Sequence, residues 1–390
     1  MTMNFKSKTF LISHIKDIMQ FYEPRCVDPA GGFYHCYMNN GEVYDAKTRT
    51  LVASCRFIIN YCHVYKLFGE DIYYQRIIHG LDFLRQRHFN PDNKGYTWRL
   101  SEHHRADNAN HCYGLAFVLL AYARAWQCGV PEAERWMEET WQLMEQRFWL
   151  PLESKYANEA DEYWNVSDYR GQNDNMHACE ALIACFEASH DDKYLHRAIL
   201  IAEGITVVLA DKLNGQIWEH YHRDWSLDFD YARGEKENNI RPWGVQTGHQ
   251  TEWAKLLLIL SRHSERDWYL PRAEALFKTA VEKGWDSRFG GLIYGYGPDG
   301  GIYDTDKYFW VQAESIAAAA LLAKRSGHDY YWQWYDRLWG YAWDHFVDHE
   351  YGAWFRVLRE DNSHYDQRKS YNNKADYHTL GACVEVLQDL

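Results

Sequence analysis

Gly291-Leu292-Ile293-Tyr294 is the stretch on which the fold turns, because its pairing of glycine with an aromatic returns along the whole chain. Outward from it lie Gly215-Gln216-Ile217-Trp218, Lys155-Tyr156, Gly95-Tyr96-Thr97-Trp98 and Gly32-Phe33-Tyr34 on one side, and Gly352-Ala353-Trp354-Phe355 on the other. In chain order the steps are 63, 60, 60, 76 and 61 residues. Units of this size, about 60 residues, mark a repeat architecture, and six of them fill the chain. An Asp, Tyr and Arg cluster recurs at 71–76, 192–197 and 267–272, where it begins the first helix of a pair. Second helices such as 178–186 and 253–260 are apolar around much of their circumference, so they must be buried on all sides. Six helix pairs can stack openly or close on themselves. An open stack wants polar capping repeats, whereas 377–384 reads Tyr-His-Thr-Leu-Gly-Ala-Cys-Val, an apolar helix. The expectation is an all-α chain closed into an (α/α)6 barrel, with second helices inside, first helices outside and the long loops at one mouth.

No Pro, Gly or Ser-rich linker interrupts the 390 residues, which predicts a single catalytic domain over 1–390. Nine cysteines without a CxxC pair fit reduced thiols. The first residues, Met1 to Lys8, lack the apolar core of a signal peptide, and no stretch approaches a membrane span, so a soluble cytoplasmic protein is expected. A net charge of -13 argues against nucleic acid and against an anionic membrane surface. A neutral small molecule is the easier partner, and the oligomeric state stays open between monomer and homodimer. Aromatics form 17% of the chain, with 18 Trp and 30 Tyr. Most belong to the core, but Tyr113, Trp243, Trp310 and Tyr377 lie near histidines, where flat faces beside hydrogen-bonding groups suit a sugar.

The chemistry rests on four helix openings: Gln172-Asn173-Asp174-Asn175-Met176-His177, Gln246-Thr247-Gly248-His249-Gln250-Thr251-Glu252, Trp310-Val311-Gln312-Ala313-Glu314 and Asn373-Lys374-Ala375-Asp376-Tyr377-His378. From His177 to His249, Glu314 and His378 the steps are 72, 65 and 64 residues, close to the repeat, which predicts one shared site. With Asn173 or Asp174 and Thr247 as N-caps, His177 and His249 fall in first turns, where the helix dipole disfavours imidazolium. A neutral imidazole can take a proton near pH 7. Glu252, three residues beyond His249, shares its helix face and is expected to orient that ring or to exchange protons itself. Asn173 and His177, four apart, share another face. A metal bound by His177, His249, His378 and Glu252 is a rival reading. His-x-x-Glu alone is a weak metal signal, however, and no HExxH fixes a geometry, so no metal is expected. Hydrolysis needs two carboxyls flanking a bond, and here the phased groups are mostly histidine. A non-enzymatic sugar-binding protein would need the aromatics but not the paired histidines. Gly295-Tyr296-Gly297-Pro298-Asp299-Gly300 matches GxGxxG yet holds a proline and reads as a turn. Cys179 and Cys185 read as small buried side chains.

Arg56 within 48–56, Tyr113-Gly114-Leu115-Ala116-Phe117, Asn173 to His177, Gly248-His249-Gln250-Thr251-Glu252-Trp253, Phe309 to Glu314 and Tyr377-His378 together resemble the successive signatures of the N-acylglucosamine 2-epimerase superfamily. The resemblance covers the chain in order, and Asn-Met-His with Gly-His-x-x-Glu-Trp is similar to its mannose isomerase and aldose-ketose isomerase branch. Val52 stands where the family often has Trp, so stacking on that side is not implied. The resemblance implies a cofactor-free isomerase that interconverts D-mannose and D-fructose through a cis-enediolate. Inversion at C2 of mannose, or of a β-1,4-linked disaccharide, is the alternative outcome. His249 and His378 would be the acid/base pair, with Glu252 supporting His249. His177 would assist ring opening or hold a hydroxyl, and Arg56 would polarise the carbonyl or stabilise the enediolate oxygen. Asn173, Met176, Tyr113, Trp310, Glu314, Glu219 and Arg241 would bind the substrate.

Overall fold

The structure, a computed structural model, describes residues 3–235 and 240–390. Among the described residues, helices occupy Lys8–Tyr22 (α1), Leu51–Phe68 (α2), Asp71–Phe83 (α3), Cys112–Gln127 (α4), Glu132–Arg147 (α5), Gln172–Ser189 (α6), Asp192–Glu203 (α7), Thr247–Leu260 (α8), Tyr269–Gly284 (α9), Phe309–Ser326 (α10), Asp329–His345 (α11) and Tyr377–Asp389 (α12). None is long and apolar enough to cross a membrane. The chain divides into two compact units. An N-terminal unit comprises Tyr22–Gly204 with Arg368–Tyr377, and a C-terminal unit comprises the chain up to Phe21 with Ile205–Gln367 and His378–Leu390.

In the N-terminal unit α2, α4 and α6 pack side by side, each backed by the helix that follows it. In the C-terminal unit α8 packs on α10, backed by α9 and α11. Burial follows the pattern of apolar residues. Every residue of α8 is buried, as is most of α10, whereas α9 buries one stripe, Ala273, Leu276, Phe277, Ala280, Val281 and Gly284. That spacing of three and four is one helix face. Small residues let the inner helices approach, as where Ala313 and Ala317 of α10 meet Ala382 of α12. The Asp-led clusters open α3 and α7 as expected, while α9 starts later, at Tyr269.

The glycine-aromatic segments are tight antiparallel returns from the backing helices. Val27 bridges Phe33, Phe89 bridges Tyr96, Trp285 bridges Leu292 and Val347 bridges Trp354, and Trp149 pairs with Tyr156 in the same way. Gly291 turns this corner with φ +80°, and a Cβ there would meet Tyr341 Cζ at 2.3 Å. Backbone handedness and lack of room both require glycine.

A side-chain amide from an inner helix then clamps each of three returns. Asn175 accepts from Tyr156 N at 2.8 Å and donates to Tyr156 O at 3.0 Å. Gln250 does the same to Ile217 at 3.0 and 3.0 Å, and Gln312 to Leu292 at 3.0 and 2.8 Å. These clamps satisfy backbone groups that burial would otherwise orphan, and they fix the register of the repeat. His177, Glu252 and Glu314 each lie two residues beyond a clamp, and His249 lies one residue before its own. The expected phasing of His177 with His249 is thereby corrected: Glu252 is the equivalent of His177. Loops of unequal length hid a three-residue offset inside the 72-residue step.

Candidate active site

In the C-terminal unit three elements bring titratable groups onto one tryptophan. Trp310, the second residue of α10, has its ring centroid 4.9 Å from His249 and 5.8 Å from His378. Gly248 makes room for it, since a Cβ there would meet Trp310 Cζ3 at 2.3 Å. Each imidazole is held from behind. His249 Nδ1 lies 2.9 Å from Glu219 Oε1, and His378 Nδ1 lies 2.6 Å from Glu314 Oε1. An ionised carboxylate only accepts, so, facing one, Nδ1 is the donor, which in a neutral ring makes Nε2 the basic nitrogen. The second oxygen of Glu314 takes the ammonium of Lys255, which also lies 4.0 Å from Glu252 Oε1. All of these groups are buried, at 8% exposure or less. Thr251 Oγ1 and Ser315 Oγ, 2.8 Å apart, latch α8 to α10 beneath them. His220, next to Glu219, bonds Pro242 O at 2.8 Å, and burial lowers its pKa below the usual histidine range.

The N-terminal unit gathers a second cluster. Arg56 of α2 donates to Asn373 O and, at 3.2 Å, to Tyr113 Oη. Its guanidinium stacks 4.7 Å from the Phe117 centroid and 4.9 Å from that of Tyr377, which suits a weakly hydrated planar cation. His177 Nδ1 lies 2.9 Å from Glu180 Oε2, and the other oxygen of Glu180 accepts from Tyr377 Oη at 2.5 Å. The Tyr113 ring meets the His177 ring edge-on at 5.0 Å. Asn173 Oδ1 is a buried acceptor without a protein donor, as a ligand hydroxyl would require.

Several expected roles are corrected. α6 begins at Gln172 with Gly171 as its cap, so His177 sits in the second turn, beyond the strongest reach of the helix dipole. Asp174 accepts instead from Tyr113 N at 3.0 Å, at the start of α4, and from Asn158 at 2.7 Å. Gln246, not Thr247, precedes α8, and the Thr247 hydroxyl is buried without a partner. His249 does fall in the first turn. The carboxylate that orients it comes from Glu219, thirty residues earlier, whereas Glu252 lies beside Lys255. Met176, expected against substrate, is fully buried at 0% exposure and belongs to the packing beneath the site. Arg241 bonds Tyr231 Oη at 3.2 Å. Sequence reasoning missed Lys255 and Glu180. Both had a signal: a lysine inside the apolar run 253–260, and a carboxylate three residues beyond His177.

Glu252, Glu314 and His378 offer ligand atoms within 4.8 Å of one another, a spacing that could take a cation. The Lys255 ammonium already bonds Glu314 there. In the rival reading His177, His249, His378 and Glu252 share a metal, whereas His249 and His177 turn Nδ1 to Glu219 and Glu180.

Comparison with known proteins places this geometry. The profile of the N-acylglucosamine 2-epimerase family (GlcNAc 2-epimerase) matches residues 32–382. A D-mannose isomerase from Marinomonas mediterranea is 50% identical over 388 residues, covering 99% of this chain and 98% of the relative. A crystal structure of a D-mannose isomerase superposes with a TM-score of 0.98 at 49% identity, covering all of both chains. The cellobiose 2-epimerase from Bacillus thermoamylovorans, at 18% identity, covers 98% of this chain and 100% of its own with a TM-score of 0.86. These likenesses show the expected fold class, all-α of the (α/α)6 barrel type.

Proposed function

We infer that this chain, which belongs to the N-acylglucosamine 2-epimerase family, is an isomerase that converts D-mannose to its ketose, D-fructose, and back. The observation that carries this reading is the convergence of His249 and His378 on Trp310, each with Nδ1 fixed by a buried carboxylate. Isomerisation moves a proton from C2 of the open-chain aldose to C1. This needs a base at the carbon next to the carbonyl, and donors where the enediolate oxygen gathers charge. An imidazole with Nδ1 held by a carboxylate can take the proton at Nε2 and return it. Trp310 offers the flat face on which the carbon skeleton rests.

We assign the proton transfer to His378, with His249 as its partner in acid/base exchange. In the N-terminal unit Arg56, Tyr113, His177 and Asn173 are donors and acceptors held by the fold, of the kind that sugar hydroxyls take. Lys255 supports a mechanism without a resident metal, because the position that a cation would take between buried carboxylates already has one. A family match running unbroken over 32–382 supports one catalytic domain. Nine buried cysteine thiols support a reducing, cytoplasmic setting.

The test is product analysis. Purified protein incubated with D-mannose, D-glucose and cellobiose should make fructose from mannose and leave cellobiose unchanged. Glucose as the main product from mannose, or turnover of cellobiose alone, would overturn the assignment in favour of inversion at C2.

A further inference from the structure

We propose that Lys255 is a positioning residue for His378, acting through Glu314 to hold the imidazole in the tautomer that the reaction uses; this rests on the assignment of proton transfer to His378. Lys255 lies on α8 in the run Trp-Ala-Lys-Leu-Leu-Leu-Ile-Leu, 253–260, and is only 8% exposed. A buried ammonium is costly unless its partners satisfy it. Its partner is Glu314 of α10, itself 2% exposed, whose two oxygens are divided. Oε2 takes Lys255 Nζ, and Oε1 takes His378 Nδ1 at 2.6 Å. A carboxylate tied at one oxygen cannot turn, so the other oxygen stays aimed at the imidazole.

The charges make the same argument. Glu252 and Glu314, both nearly inaccessible, approach one ammonium. Without that ammonium, two buried carboxylates would repel, and the cheapest relief is for one to take up a proton. A protonated Glu314 can donate to His378 Nδ1, which would move the ring proton to Nε2 and leave that nitrogen without its basic lone pair. Lys255 therefore keeps Glu314 an acceptor and Nδ1 a donor.

The test uses the full chain with Lys255→Met, Lys255→Arg, Glu314→Gln and the double variant Lys255→Met/Glu314→Gln. Turnover of mannose is measured alongside nitrogen-15 spectra of the His378 ring. Native protein should show hydrogen on Nδ1. Lys255→Met should lower kcat by about 10- to 100-fold, the size expected for one charge-assisted hydrogen bond, with KM nearly unchanged. Lys255→Arg should recover part of the loss. In the Glu314→Gln background the further change Lys255→Met should cost less than about threefold, because a residue that acts through Glu314 has nothing left to act on. The proposal is overturned by equal costs in the two backgrounds, by native-like kcat in Lys255→Met, or by hydrogen on Nε2 in the native ring. If Lys255→Met does not fold, the native spectrum and the Lys255→Arg kinetics decide. The underlying assignment fails separately, and only if His378→Asn keeps full turnover.

Discussion

Two clusters in this molecule share a plan and differ in one group. In the C-terminal unit, His378 leans on Glu314, whose second oxygen meets the ammonium of Lys255. In the N-terminal unit, His177 leans on Glu180, whose second oxygen meets the neutral phenol of Tyr377. An ammonium neutralises the carboxylate it touches, and a phenol only hydrogen-bonds to it. The His378 pair thus has a countercharge against its carboxylate, one that it shares with Glu252. The His177 pair meets instead a phenol whose ring stacks on the Arg56 guanidinium.

The largest way to break this comparison is to remove each imidazole in turn. His378→Asn should reduce turnover of mannose by ~100- to 10,000-fold, the range for loss of a general acid/base, while sugar binding persists. His177→Asn should cost less, with more of the loss in KM. Equal losses in kcat would erase the distinction between the clusters.

A second contrast lies in acid sensitivity. In the N-terminal unit, His88 is fully buried, accepts or donates at Ser54 Oγ (3.0 Å) and bonds Thr97 O (2.9 Å), and burial lowers its pKa from 6.5 to about 4. The unfolded chain therefore binds this proton first. The stability at stake is fully present above pH 6.5 and is lost as pH falls toward 4, by ~3 kcal/mol in all. Denaturant unfolding between pH 7 and 4.5 should show this slope, and His88→Gln should flatten it. Since Ser54 lies two residues before Arg56 on α2, acid should loosen the Arg56 cluster in particular.

The smallest effect is expected at Tyr377. Tyr377→Phe removes one hydrogen bond to Glu180 and leaves the stack on Arg56, so it should cost about 1 kcal/mol, or roughly fivefold in kcat/KM. A loss as large as that of His378→Asn would place the phenol in the chemistry itself.

The fold was legible because glycine-aromatic returns leave a mark at nearly fixed pitch, and at Gly32, Gly215, Gly291 and Gly352 a left-handed corner favours glycine. Trp310, His249, His378 and Glu314 were legible because helix openings carry recognisable polar runs. What stayed hidden were partners from far along the chain. Asp174 looks like the cap of its own helix but serves Tyr113 N, 61 residues away. Lys255 looks misplaced on an apolar helix until Glu314, 59 residues on, reaches it. Residue counting placed His177 and His249 in one phase, and only the amide clamps revealed the offset. Local pattern predicts which elements form; which side chain answers which is settled by packing.

The central claim is that His378 moves the proton at C2. The most direct measurement follows mannose carrying deuterium at C2, comparing the native protein with His378→Asn for release of that label or its transfer to C1. Both processes should be seen by NMR with the native protein and should fall together to the background rate in His378→Asn while the sugar still binds. Label leaving C2 at the native rate in His378→Asn would contradict it.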